Sequence, residues 1–250
     1  MSPNPSQEKQ EVSNMDRNPS IESGEALRIP AGVDTLAGFR RWSSSDCFPD
    51  RGRIDFLAGE LEIDLSPENL FLHGAAKTAL TAAFYDQVVR TGRGGVFVDC
   101  TRVVSVDAQL SVEPDVLAVL WDSLESGRVI RVPAAGGEAD SFIELEGAPD
   151  LVVEVISDSS VGKDRRRLPP LYAMAGVPEL WLVDARGRRG QPRHHQTAEL
   201  GIHHLAPGGR YVLSPPDPEG WSESRFLGRR CRLCRRSVRD LGFTYELQLA

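Results

Sequence analysis

The chain has 250 residues, 40% of them hydrophobic and 26% charged, which suits a globular protein of one domain with appendages or two small ones. Its formal net charge of −7 excludes a protein that merely coats nucleic acid, because such binding draws its affinity from basic residues on phosphates. It leaves room for an enzyme whose acids hold metal ions that in turn meet phosphates. No run reaches the roughly 20 apolar residues of a membrane span, and the polar start lacks the apolar stretch of a secretory signal. Four scattered cysteines (Cys47, Cys100, Cys231, Cys234) make no disulfide framework, so a cytoplasmic location is expected.

Residues 1–25 are rich in Ser, Pro, Asn, Gln and Glu and are expected to be a disordered tail, since they cannot bury enough apolar surface to offset ordering. Phe39, Trp42 and Phe48 follow as packing anchors. Ile54, Phe56, Leu61, Ile63 and Leu65 stand near period-2 spacing around Ala58-Gly59, which predicts a β-hairpin. Ser66-Pro67-Glu68 predicts a helix start, with Ser66 as N-cap and Pro67 in the first turn. Ala76, Leu80, Ala83, Phe84 and Val88 continue at helical spacing until Gly92.

Val96 to Cys100 and Val112 to Leu120 read as strands, and residues 122–148 as a loop-rich stretch with Gly136-Gly137 at its tip. Leu151 to Ile156 is an apolar run with one acid inside it, which suits a central strand buried on both faces. A basic helix from Lys163 to Ala175, interrupted by Pro169-Pro170, and a last strand, Leu180 to Val183, complete a β-β-α-β-β-β-α-β order. That order is α+β or mixed α/β. The division expected is a core domain over 26–187 and a β-rich extension over 188–250 packing on it. The extension carries two His pairs (His194-His195, His203-His204), strand-like runs near Arg210–Leu213 and Thr244–Leu249, and an arginine cluster.

Glu154 is the most informative residue. An ionised carboxylate in an apolar strand is costly unless paired or metal-bound, and Asp115 stands at the start of another apolar strand, just after Pro114. If the two strands are neighbours, the acids converge, and two hard oxygen ligands plus waters are what Mg²⁺ usually takes from a protein. Asp150 shares a strand face with Glu154 and reads either as a loop cap or as a support to the metal site. Glu60 reads as solvated on the hairpin, and His73 as a surface histidine ahead of a role in the site. Cys231-x-x-Cys234 is too small a set for a structural zinc site, even with His203 and His204. The tail arginines read as decoration of a β surface ahead of a phosphate-binding role.

These motifs resemble those of the Uma2 family of restriction-endonuclease-like proteins, a branch of the PD-(D/E)XK nuclease superfamily. The resemblance covers roughly 53–184. It is carried by Ala58-Gly59-Glu60-Leu61, by Leu65-Ser66-Pro67 with His73 after it, and by Glu113-Pro114-Asp115-Val116. Its strongest marks are Ala148-Pro149-Asp150-Leu151-Val152-Val153-Glu154-Val155-Ile156-Ser157 and the run from Tyr172 to Asp184. The resemblance implies a restriction-endonuclease-like mixed sheet flanked by helices. It implies Asp115 and Glu154 as ligands of Mg²⁺ (or Mn²⁺), with the main-chain carbonyl of Val155 as a third. The superfamily lysine position holds Ile156 here, so the resemblance implies that Lys163 from the next helix takes its role, with Arg165 to Arg167 as alternatives. The implied activity is hydrolysis of DNA phosphodiester bonds. A homodimer is compatible with it, although no interface signature is visible. A catalytically silent binding module on the same scaffold is the competing expectation, motivated by Ile156 and the two prolines. RNA is the competing substrate.

Overall fold

The computed structural model describes residues 27–134, 140–186, 198–239 and 242–250. The N-terminal tail, Gly136-Gly137 and His194-His195 lie outside the described residues. Among the described residues no helix is long and apolar enough to cross a membrane.

The described strands form three sheets. The hairpin forms as its alternation predicts, with β1 (Arg53–Leu57) and β2 (Glu60–Asp64) antiparallel and Phe56 opposite Leu61. Ala58, at φ 51°, and Gly59, at φ 93°, make the turn. Helix α1 (Leu36–Ser43) packs Phe39 and Trp42 with Phe48 and Phe56 as an aromatic cluster over β1.

Helix α2 (Ala75–Phe84) is flanked by wide turns over Leu70–Gly74 and Tyr85–Val89. The cap of the wide turn that leads into it is Asn69, whose side-chain oxygen accepts from the N–H groups of Phe71 and Leu72, and not Ser66. The Ser66 N–H instead donates to Asp64, so Ser66-Pro67-Glu68 remains a loop. The physical reason is that Asx and Ser motifs compete for the same task, and the one adjacent to the first helical N–H groups wins.

The stretch expected as one strand over 112–120 is two. Between β3 (Gly94–Val98) and β4 (Arg102–Ser105) the chain turns. Then β5 (Leu110–Val112) joins the sheet of β1, and β6 (Val116–Leu120) joins another sheet altogether. Glu113-Pro114-Asp115 is the crossing. Proline removes the N–H that would have kept the ladder going, so the chain changes sheets there. Residues 122–148 hold more structure than expected. Helix α3 (Trp121–Glu125) precedes β7 (Val129–Pro133) and β8 (Phe142–Gly147).

β9 (Leu151–Val155) is the central strand its composition predicts. It runs antiparallel to β6 and parallel to β10 (Glu179–Asp184), and all five of its residues are buried. Its two faces serve two cores. Leu151, Val153 and Val155 face α2 and the strands β14 (Arg229–Val238) and β15 (Gly242–Leu249). Val152 faces Tyr172, Leu168 and Val177 of the helical side, together with Leu57 and Val112 of the other sheet.

Helix α4 (Leu168–Ala175) continues from a wide turn over Lys163–Arg167 and ends at Gly176, which adopts φ 86°. Pro169 and Pro170 do not interrupt it. They occupy its first turn, where a missing N–H costs nothing. β11 (Glu199–Leu205) and β12 (Tyr211–Ser214) extend the sheet of β9 and β10, and β13 (Ser222–Ser224) begins the small third sheet. The whole is a mixed α+β fold with extra C-terminal strands, as the sequence led us to expect.

Candidate active site

Strand register brings the two acids together. In the β6–β9 pairing Val116 stands opposite Val153 and Leu117 opposite Val152, so Asp115 and Glu154 fall one step beyond, opposite each other. Directly opposed residues of an antiparallel pair point the same way. Here that is the side of Val152, into the gap between the β9 sheet and β1. Both acids are almost fully buried. A Val or Leu at Glu154 would contribute about 1.5–3 kcal/mol by burial, so packing does not account for the acid.

Asp115 accepts from the Val155 N–H at 2.7 Å and from the Arg53 guanidinium at 2.9 Å, and its Oδ2 lies 3.2 Å from His73 Nε2. Burial alone would raise its pKa, but the hydrogen bond from His73 and the charge of Arg53 outweigh it and hold the carboxyl well below the usual range. Glu154 goes the other way. Burial, then the negative charges of Asp115 and Asp164, push it far above the usual range. Its Oε1 accepts from the Tyr172 hydroxyl at 2.6 Å. Two adjacent acids with oppositely displaced pKa values are a mark of functional sites.

Lys163 is drawn in from the turn after β9. It is buried, its Nζ donates to Asp55 Oδ2 at 3.0 Å, and it feels the charges of Glu154 and Asp164 as well. Burial works against its charge, yet these acids raise its pKa, so it is a permanent cation. The other basic residues of that run are directed elsewhere. Arg165 pairs with Asp184 and Arg167 with Glu60 and Glu62, while Arg166 is exposed. Ile156, at the superfamily lysine position, is buried apolar core.

The remaining predicted residues sort clearly. Glu60 is exposed and pairs with Arg167, away from the acids. Asp150 sits at the opposite end of β9, where it accepts from the Leu120 N–H and the Ser123 hydroxyl and pairs with Arg128, so it caps a loop. His73 is not a surface residue. It is buried against Asp115, because the wide turn before α2 swings it inward. Cys231 and Cys234 belong to no metal-ligating cluster among the described residues.

Sequence reasoning missed Arg53, Asp55, Glu68, Asp164 and Tyr172. Asp55 alternates with Ile54 and Phe56 and so looks solvent-facing, but this face of β1 is covered by Lys163 and by the Glu113 N–H, which donates to Asp55 Oδ1 at 3.1 Å. A cleft of about 350 Å³ is lined by Arg53, Glu68, His73, Val155, Ser157 and Lys163 among others, with Asp115 behind Arg53 and His73 and not on its surface.

The donor set fits a hard divalent cation. Asp115 and Glu154 offer carboxylate oxygens. Asp164 Oδ1 is buried without a hydrogen-bond partner, and burial pushes this acid up to about 6 against the pull of Lys163. Acids whose charge burial suppresses in this way ionise when a cation enters among them.

Comparison with known proteins agrees with this architecture. A similar fold is seen in the crystal structure of "a putative nuclease belonging to DUF820" from Anabaena variabilis. That structure superposes with a TM-score of 0.55 at 14% sequence identity, over 78% of this chain and 90% of the other. Residues 36–234 match the model of the Uma2 family, described as "Putative restriction endonuclease", and the chain belongs to that family. No match was found among curated proteins.

Proposed function

We propose that this chain is a divalent-metal-dependent endonuclease that hydrolyses DNA phosphodiester bonds, with Asp115 and Glu154 as metal ligands, the Val155 carbonyl as a third, and Lys163 as the cationic partner. What supports this reading is the β6–β9 register, which one step past Val116 and Val153 sets Asp115 opposite Glu154, beside a cleft lined by Lys163. Mg²⁺, or Mn²⁺ in its place, would polarise the scissile phosphate and lower the pKa of a bound water. The chain's own residues do the rest. Lys163, fixed by Asp55, stabilises the negative charge that builds on the phosphate oxygens as the water attacks. Tyr172 holds the Glu154 carboxylate in one orientation, and the Val155 N–H does the same for Asp115. Arg53, on the cleft wall beside Asp115, would meet a phosphate oxygen.

The test is nicking of supercoiled plasmid by the purified protein with Mg²⁺ or Mn²⁺, alongside Asp115→Ala and Glu154→Ala. Cleavage that needs the metal and both acids supports the reading, and its absence from the folded wild type at saturating metal overturns it. RNA as a parallel substrate tests the choice of nucleic acid.

A second reading has its own support. Arg53 at 2.9 Å from Asp115 and the Tyr172 hydroxyl on Glu154 already supply each acid with a partner. A binding module that captures DNA or protein without cutting needs no more. It would give no metal-binding heat in a calorimetric titration.

A further inference from the structure

Among the described residues, one group of three or more potential ligands is close enough to hold a metal ion: Glu68, His73 and Asp115, whose ligand atoms lie within 4.8 Å of one another. It is not the pair read from the sequence, and it differs from that pair in chemistry and access. Glu154 points inward to Tyr172, whereas Glu68 and His73 both line the cleft. Asp115 belongs to both sets, with Oδ1 towards Arg53 and Oδ2 towards His73.

His73 is the informative member. It is nearly fully buried. Its Nδ1 lies 3.2 Å from Glu68 Oε2, within ion-pair distance, but in a geometry that makes no hydrogen bond, and no other hydrogen-bond partner is present. A buried imidazole nitrogen without a partner is costly unless something occupies the position. An ion there would take Glu68 from Lys77, which bonds both of its oxygens. Lys77 lies 3.0 Å from Glu68 but also 2.8 Å from Asp99, so it keeps a carboxylate if Glu68 turns away. Arg53 engages the other oxygen of Asp115.

We propose a second, outer cation position on the cleft wall, held by His73, Glu68 and Asp115, with Asp115 shared between it and the inner pair. An imidazole nitrogen among carboxylates favours first-row transition ions such as Co²⁺ and Zn²⁺, and admits Mn²⁺, over Mg²⁺ and Ca²⁺, which take oxygen ligands. The outer position therefore discriminates against Mg²⁺ more than the inner pair does, although Mn²⁺ suits both. The inference rests on Asp115 being a ligand, as proposed above, but not on Glu154.

Pulsed electron paramagnetic resonance of the full chain loaded with Mn²⁺ tests it directly, because a bound imidazole imposes a nitrogen coupling on the ion. The coupling is expected in the wild type and in Glu154→Gln, and it should vanish in His73→Gln. Glu68 is half-exposed and can be altered without endangering the fold. Glu68→Gln is expected to weaken Mn²⁺ binding by roughly tenfold or more while leaving the melting temperature unchanged. No nitrogen coupling in the wild type, or coupling that persists in folded His73→Gln, overturns the outer site. Loss of cleavage in Glu154→Gln with the coupling intact belongs to the inner pair, so the two failures are distinguishable.

Discussion

Asp115 and Glu154 stand opposite each other across the β6–β9 pairing, and the protein treats them differently. Asp115 is surrounded by donors: Arg53, the Val155 N–H and His73. Glu154 has the Tyr172 hydroxyl, and burial together with Asp115 and Asp164 outweighs the pull of Lys163 and Arg53, so its charge is suppressed. A site arranged for stability would have given the second acid a direct ion pair as well, or replaced it.

Glu154→Gln is therefore expected to stabilise the fold. The amide keeps the shape and can accept from Tyr172, while the repulsion from Asp115 and Asp164 disappears. A gain of about 1–2 kcal/mol in metal-free buffer is expected, within the range seen when buried charges are replaced by neutral groups. Cleavage should be lost in the same variant. Thermal unfolding with a chelator present checks the first part, and a fall in melting temperature would mean that Glu154 has a structural partner after all.

Arg53 gives the complementary prediction. It is the cation nearest Asp115, and Arg53→Met leaves that buried acid without its main countercharge. Breaking a buried pair typically costs 3–5 kcal/mol. An added divalent cation takes over the neutralisation, so Mn²⁺ should raise the melting temperature of Arg53→Met more than that of the wild type. Equal shifts in the two proteins would show that the ion does not bind beside Asp115.

How far the sequence exposed this site follows from where each residue's signal comes from. Glu154 is visible because an acid interrupts an apolar run, and Asp115 because a proline precedes it. The crossing between sheets at Glu113-Pro114-Asp115 is hidden, since the apolar residues on either side read as one strand although they belong to β5 and β6 in different sheets. Asp55 and Arg53 are hidden because β1 is covered on both faces, which alternation along one strand cannot reveal. His73 depends on the wide turn at Leu70–Gly74, a local widening without a sequence mark, and Tyr172 passes for a core residue because its ring is one. Residues whose role depends on one strand's own pattern were legible, and those whose role depends on a facing element were not.

The Lys163–Asp55 pair separates support from chemistry. Both side chains are buried and 3.0 Å apart. Lys163→Ala leaves Asp55 uncompensated, so a loss of about 3–5 kcal/mol is expected. The double variant Asp55→Asn/Lys163→Met removes both charges and should recover most of that stability. If Lys163 stabilises the developing charge on phosphate, cleavage stays lost in the double variant. Restored cleavage would make Lys163 a structural residue only.

Asp164 sets a pH dependence whose sign can be worked out. Burial raises its pKa from 3.8 to about 6, against Lys163, Arg53 and the Ser160 hydroxyl and with help from Asp115. A carboxyl raised in the folded state holds its proton more tightly there than in the unfolded chain. The stability it contributes is fully present below 3.8 and is lost as pH rises through about 6. The loss is on the order of 1–3 kcal/mol. Asp164→Asn has no proton to lose and keeps an acceptor for Ser160. Its urea midpoint should therefore gain on that of the wild type between pH 3.8 and about 6 and hold a constant lead above that. A difference that stays flat across this window would place the Asp164 pKa near its ordinary value and remove it from the group of acids that a bound cation relieves.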